Sequence, residues 1–331
     1  MSKLETDHLK LGYIPLLDCV ALLWADHRGF FLEQGLNVEL VKEASWASLR
    51  DRLAFGFLDA AHCLSAMLPA AAIGYDQLGI PFQTPLILSQ SHAFITLSQK
   101  LCFDLDIHKN EGATSSSEKM MKALKNDQHV RLANVFKHSI HHYCLREWLA
   151  LADEKVAKQI QLHTLPPPYM VEALTSNTID GFCVSEPWNT QAEILGIGHI
   201  IQSSQNIIPP VADKVLAVTQ DWAIQHPNTL HALCQALIKA QHELKQSHFS
   251  VQVWQLLINY NIIQFECSEI LHVEKYHAIQ NIVQNLVSDD VLPKVKDFEW
   301  LIHQMIKWEN IQIDNNLVNH FAQNCIISMN K

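Results

Sequence analysis

The sequence has no basic tract. Its 24 Lys plus Arg are outnumbered by 34 Asp plus Glu, a formal charge of -10. Broad attraction to nucleic acid or to an acidic membrane surface is therefore disfavoured. An acidic chain that binds an anion must do so with a few aimed donors. No run approaches the roughly 18 apolar residues of a membrane span. No CxxC pair occurs; the eight cysteines are scattered from Cys19 to Cys325. That pattern suits free thiols in a reducing compartment better than a disulfide frame or a zinc site. GxSxG, Walker and GxGxxG motifs are all missing, so no enzyme activity and no cofactor are expected. Met1 to Lys10 is polar, and the short apolar run after it contains Pro15. This predicts a chain without a signal peptide, hence a cytoplasmic protein; a chain trimmed of its export signal would read the same and would be periplasmic.

What the chain does have is length and apolar content. With 331 residues, 48% of them hydrophobic, it is sized for two lobes. Leu9–Leu16, Leu36–Val41 and Leu58–Leu64 read as strands. Cys19–Gln34, Trp46–Phe55 and Ser65–Ile73 read as helices between and after them. Strand–helix alternation predicts parallel βαβ units in an α/β fold, with ligand groups at the carboxyl ends of the strands. A second α/β unit follows, with a helix at His141–Asp153 and a strand at Thr178–Cys183, whereas Phe103–Thr114 reads as irregular. After Pro227 the chain is mostly helical, and Trp254, Trp300 and Trp308 are expected core anchors. The predicted division is 1–98 with 201–331 as one lobe and 99–200 as the other, with the ligand cleft between them.

One stretch stands out. After the second strand, Ser45 occupies an N-cap position and Trp46 opens a helix. Exposed N–H groups at a helix start beside an aromatic wall suit a small anion. The same residues equally read as an ordinary cap and a core aromatic. Asp18 and Ser65 fall at the same sheet edge; a carboxylate in the position of Asp18 reads as a cap or as a ligand contact. Glu186, before Pro187, reads as a cap or a brace. His138 and His142, four apart, resemble two metal ligands on one helical face, but no further ligand cluster joins them and no metal is expected. Cys63 beside His62 reads as a buried thiol.

Several motifs in order carry a family resemblance. They are Gly12-Tyr13-Ile14-Pro15, Glu43-Ala44-Ser45-Trp46, Asp59-Ala60-Ala61-His62, Pro166-Pro167-Pro168-Tyr169, Glu186-Pro187-Trp188 and Asp297-Phe298-Glu299-Trp300. Together they resemble the nitrate/nitrite/bicarbonate solute-binding proteins of ABC transporters, over about 9–310. The resemblance implies a two-lobed, type II periplasmic-binding-protein fold. It is nearest to the signal-less cytoplasmic nitrate/nitrite sensor, which holds an RNA-binding antiterminator inactive until ligand arrives. The expected function is therefore a sensor that releases an antiterminator response regulator. The alternative is an ABC-transporter solute-binding protein for nitrate, nitrite or bicarbonate. A third reading, an enzyme of the pyrimidine-synthesis type on the same general fold, needs a cofactor lysine and metal-binding histidines; the motifs around Trp46 and Glu186 argue against it.

Carried over by position, the resemblance assigns ligand contacts to Trp46, His141 and Lys214. Ser185 stands where the family has a glycine whose backbone faces the anion. Ala93, with His92 adjacent, stands where nitrate binders carry an amide side chain. Nitrate and nitrite are planar, weak acceptors with one delocalised charge, and they need N–H donors, a nearby cation and exclusion of water. Bicarbonate also carries a hydroxyl donor and needs an acceptor. Its binders show an acidic residue and calcium at the lysine position, so Lys214 favours nitrate or nitrite.

Overall fold

The computed structural model describes residues 3–126, 129–286 and 289–328. The strands in chain order are β1 (His8–Tyr13), β2 (Asn37–Lys42), β3 (Ala60–Leu64), β4 (Phe82–Gln90), β5 (Ala93–Ser98), β6 (Leu132–Asn134), β7 (His163–Thr164), β8 (Gly181–Ser185), β9 (Gly198–Ser203) and β10 (Ala212–Thr219). They form two five-stranded sheets, ordered β2-β1-β3-β10-β4 and β7-β6-β8-β5-β9.

The chain divides into two compact units. The first comprises the chain up to Gln90, Val211–Ile263 and everything from Gln280 onward; the second is Ser91–Pro210 with Gln264–Ile279. β5 belongs to the second unit because it pairs with both β8 and β9. The segment around Lys275 belongs there too, since its ammonium pairs with the buried Glu193 carboxylate, which also holds Lys109 at 2.7 Å.

In the first sheet β1 runs parallel to β2 and β3, as the βαβ pattern predicts. β10 runs antiparallel between β3 and β4. The second sheet repeats this plan, with β6 parallel to β7 and β8 and β5 antiparallel to β8 and β9. The reversed strands matter for function. Each brings its amino end to the edge where the parallel strands end, so residues remote in sequence meet there. Lys214 lies opposite Leu64, and Ala93 opposite Ser185.

Local chemistry sets the elements. The expected Cys19–Gln34 helix is two pieces, Val20–His27 and Phe30–Glu33, broken at Gly29 with φ +70°, a conformation glycine adopts without penalty. Gly181 opens β8 in a tight part of the sheet: a Cβ there would lie 2.5 Å from Leu97 and 2.9 Å from the Thr96 carbonyl. Gln99–Leu105, expected to be partly irregular, is helical and capped by Ser98, whose Oγ accepts from the Leu101 N–H. Trp24, Trp148, Phe182 and Phe298 are among the fully buried core aromatics. Trp254 and Trp308 are buried as expected, but Trp300 is only half-buried. The buried stripe of its helix runs through Phe298, Leu301, Ile302, Met305 and Trp308, and Trp300 lies off it. Among the described residues no helix is long and apolar enough to cross a membrane.

Candidate functional site

Four of the predicted residues of the first unit gather at the carboxyl edge of its sheet. Asp18 follows β1, Trp46 follows β2, Ser65 follows β3, and Lys214 enters with β10. Ser45 is the predicted cap, accepting from the Ser48 N–H at 3.1 Å, and so fixes where the Trp46–Ala54 helix begins. Trp46 is turned inward and almost fully buried.

The centre is an ionic cluster sealed from solvent. Lys214 Nζ lies 3.0 Å from Asp18 Oδ2 and 2.8 Å from Asp213 Oδ1. His62 Nε2 lies 2.9 Å from Asp18 Oδ1. All four residues are at most 1% exposed. The Lys214 ammonium stands 5.8 Å from the Trp46 ring centroid, and the Trp46 and His62 rings are 5.6 Å apart. Burial opposes the charged form of Asp18, but the Lys214 charge and the His62 hydrogen bond outweigh it and hold the carboxyl well below the usual carboxylate range. Burial likewise opposes the Lys214 charge, and Asp18 and Asp213 overcome it, so the ammonium is held above its ordinary range. Removing one member of such a buried pair typically costs ~3–5 kcal/mol.

Two ring nitrogens in this cluster are buried without a hydrogen-bond partner, Trp46 Nε1 and His62 Nδ1; Ser89 Oγ, on β4 opposite Lys214, and Asp213 Oδ2 are further such atoms. Each orphan of this kind costs ~1–3 kcal/mol when nothing satisfies it. The indole N–H is a donor beside a cation, which suits an anion's oxygen.

Other expectations resolve differently. Asp18 caps no helix; its carboxylate serves Lys214 and His62. The Ser65 hydroxyl donates to the Ala212 carbonyl at 2.6 Å, tying the end of β3 to the start of β10. Cys63 is buried, and burial pushes its thiol up to about 12, which rules out a reactive thiolate near neutral pH. Sequence reasoning missed Asp213 and His62 as members of the cluster. His62 ends the Asp59–His62 motif and Asp213 adjoins Lys214 in sequence, but only the β3–β10 pairing shows that they converge.

The second unit gathers its own residues at the equivalent edge. His141 lies at the start of the Ile140–Gln159 helix, which Ser139 caps. Its Nε2 is 3.0 Å from Ser185 Oγ at the end of β8. Ala93 pairs with Ser185, and its N–H donates to Ser204 Oγ. His92 is half-buried in the turn before β5. Glu186 is a brace rather than the N-cap, which is Pro187: its carboxylate accepts the Thr190 N–H and hydroxyl, both at 2.9 Å. His138 precedes the Ser139 cap, so it and His142 do not share a helical face.

Two mixed sheets of this order, with polar residues collected at the strand ends, define a periplasmic-binding-protein fold. Solved structures agree. The periplasmic nitrate-binding protein NrtA from Synechocystis PCC 6803 matches with a TM-score of 0.82 at 22% identity, over 98% of this chain and 87% of that one. The alkanesulfonate-binding protein SsuA from Xanthomonas axonopodis pv. citri matches with a TM-score of 0.72 at 13% identity, over 99% and 100%.

The chain belongs to the NMT1-like family, whose model matches residues 2–258. It is 34% identical over 337 residues to the bicarbonate transport ATP-binding protein CmpC of Synechocystis sp. PCC 6803, covering 98% of this chain and 50% of that protein. It is 32% identical over 244 residues to the nitrate/nitrite binding protein NrtA of Nostoc sp. PCC 7120, covering 72% and 54%. The chain thus spans about half the length of these curated relatives.

Proposed function

We propose that the protein is a solute-binding module for a small oxyanion, nitrate or nitrite, and that it acts by binding rather than by catalysis. The observation that carries this reading is the buried Trp46 indole N–H, unpartnered and beside the Lys214 ammonium. A weak anionic acceptor needs a donor, a cation and dryness, and these residues supply all three. The kinship with NrtA supports the same ligand class. His141 and Ser185 are the residues of the second unit that this reading assigns to the anion, with Ala93 alongside them.

Calorimetry with nitrate, nitrite and bicarbonate tests the reading; no heat with any of them removes it. Trp46→Phe keeps an aromatic ring and deletes the N–H, and should weaken nitrate binding about tenfold, ~1.4 kcal/mol. Lys214→Met should abolish binding and lower stability, because Asp18 and Asp213 lose their shared cation. His141→Gln should also weaken nitrate binding in the same calorimetric titration.

A regulatory form of this reading comes from the sequence resemblance alone, and the kinship with transport proteins favours a transport role over it. Proteins named as ATP-binding components of bicarbonate and nitrate transport carry the matched segment within longer chains. The module therefore occurs in contexts other than a separate binding protein, and those contexts are transporters. In the regulatory form, nitrate or nitrite releases a bound antiterminator protein. Affinity capture from nitrate-starved cells, eluted with nitrate, checks this: elution of an antiterminator supports it, and ligand-independent retention of all partners rejects it.

A further inference from the structure

We propose that the first unit's cluster takes up nitrate or nitrite together with a proton, which His62 Nδ1 accepts, making His62 a specificity-determining residue. The inference rests on the oxyanion reading above and deepens it.

The argument begins with the hydrogen bond between His62 and Asp18, 2.9 Å long and fully buried. A carboxylate only accepts, so His62 Nε2 is the donor. A neutral His62 then has a bare lone pair at Nδ1. That atom is buried without a partner, in the ring that faces Trp46. Nitrate and nitrite offer only acceptors and would be repelled by a bare Nδ1. With a second ring proton, Nδ1 becomes a donor and completes a pair with the Trp46 indole N–H.

Charge leads to the same result by a separate route. Lys214 carries one positive charge, and Asp18 and Asp213 carry two negative ones. The cluster is therefore at -1 with a neutral His62 and at 0 with an imidazolium. Other charged or titratable groups close to the ring's surroundings include Cys63, which the Arg50 charge reaches, and Cys19, beside Asp18, which the Lys42 charge reaches. An anion entering next to a buried net negative charge is opposed, and one proton removes that opposition. Bicarbonate differs, because its hydroxyl can donate to the bare Nδ1. Hydrogen-free oxyanions thus bind with a proton and bicarbonate binds without one.

The proton comes from the buffer, so calorimetry of the full chain at pH 8 in HEPES and in Tris reads it directly. The expected result is a nitrate enthalpy that depends on the buffer, with uptake approaching one proton per site. Nitrate affinity should also fall as pH rises, towards tenfold per pH unit. Identical nitrate enthalpies in the two buffers overturn the proposal, as does equal uptake with bicarbonate. His62→Gln should lose both the uptake and the pH slope; retention of either assigns the proton elsewhere and overturns it. Should that variant not fold, 15N NMR of histidine-labelled wild type gives the same answer, since nitrate must convert one ring to the doubly protonated form. Absence of binding by every oxyanion is a different failure, that of the reading on which this one rests.

Discussion

Asp18 and Glu186 are both buried carboxylates, and their surroundings push them in opposite directions. Burial raises each, but Asp18 faces Lys214 and His62 and ends below its ordinary range. Glu186 has the Thr190 N–H and hydroxyl and the more distant Lys275 charge, and burial prevails, so it ends above. The linkage signs follow. A raised folded-state pKa gives stability that is present at low pH and lost as pH rises through it. Glu186→Gln keeps an acceptor for Thr190 and removes the charge. It should raise stability at pH 8 and change little at pH 4, as read by thermal melts at the two values.

At this scale the sequence was partly legible. Trp46, Asp18, Ser65 and Lys214 could each be assigned to a strand end from local pattern and resemblance. That Lys214 shares its charge between two aspartates could not, because Asp18 and Lys214 are far apart in the chain. Their meeting depends on the direction of β10.

Among the elements, the Trp46–Ala54 helix shows how little sequence fixes a useful start. Ser45 accepts from the Ser48 N–H, and the Ser48 hydroxyl donates to Glu43 at 2.7 Å. Glu43 in turn pairs with Arg52, one helical turn further on. Ser45→Ala should cost about 1 kcal/mol of stability, measured by urea unfolding, and loosen the position of Trp46. The cap was readable because its signal is local. The Gln99–Leu105 helix was not, because its apolar residues mislead: Leu101 and Cys102 are buried while Phe103 is 87% exposed. The Ile140–Gln159 helix falls between these cases. Its expected end at Asp153 is where the backbone leaves helical geometry, at φ -160° and ψ 102°. The chain then resumes, with Asp153 Oδ1 accepting from the Lys155 and Val156 N–H groups.

For the whole molecule, the first unit closes on itself through its ends. Glu5 accepts from the N–H groups of Asn228 and Thr229 at the start of the Pro227–Leu244 helix. Against the cost of burial, these bonds hold its carboxyl down to about 2. A depressed folded-state pKa gives stability that is present above the unfolded value and lost as pH falls. Stability should therefore decline from about pH 4.5 towards pH 2, and Glu5→Gln should make that decline shallower in urea titrations across the range. The α/β class and the parallel core of the first sheet were legible from strand–helix alternation. The antiparallel strands were not, since nothing in β5 or β10 as isolated stretches records which way they run.

The reversed β10 also sets a timetable. On the ribosome β1, β2 and β3 emerge close together, but the strand that covers β3 and carries Lys214 emerges only after the chain from Leu64 to Ala212 has been made. At roughly 5–20 residues per second, that is a wait on the order of ten seconds or more. Throughout it β3 has an open edge, and Asp18 lacks the ammonium that will neutralise it. The nascent first unit is thus a client for any chaperone that shields bare strand edges, and its anion centre cannot assemble before β10 has been made.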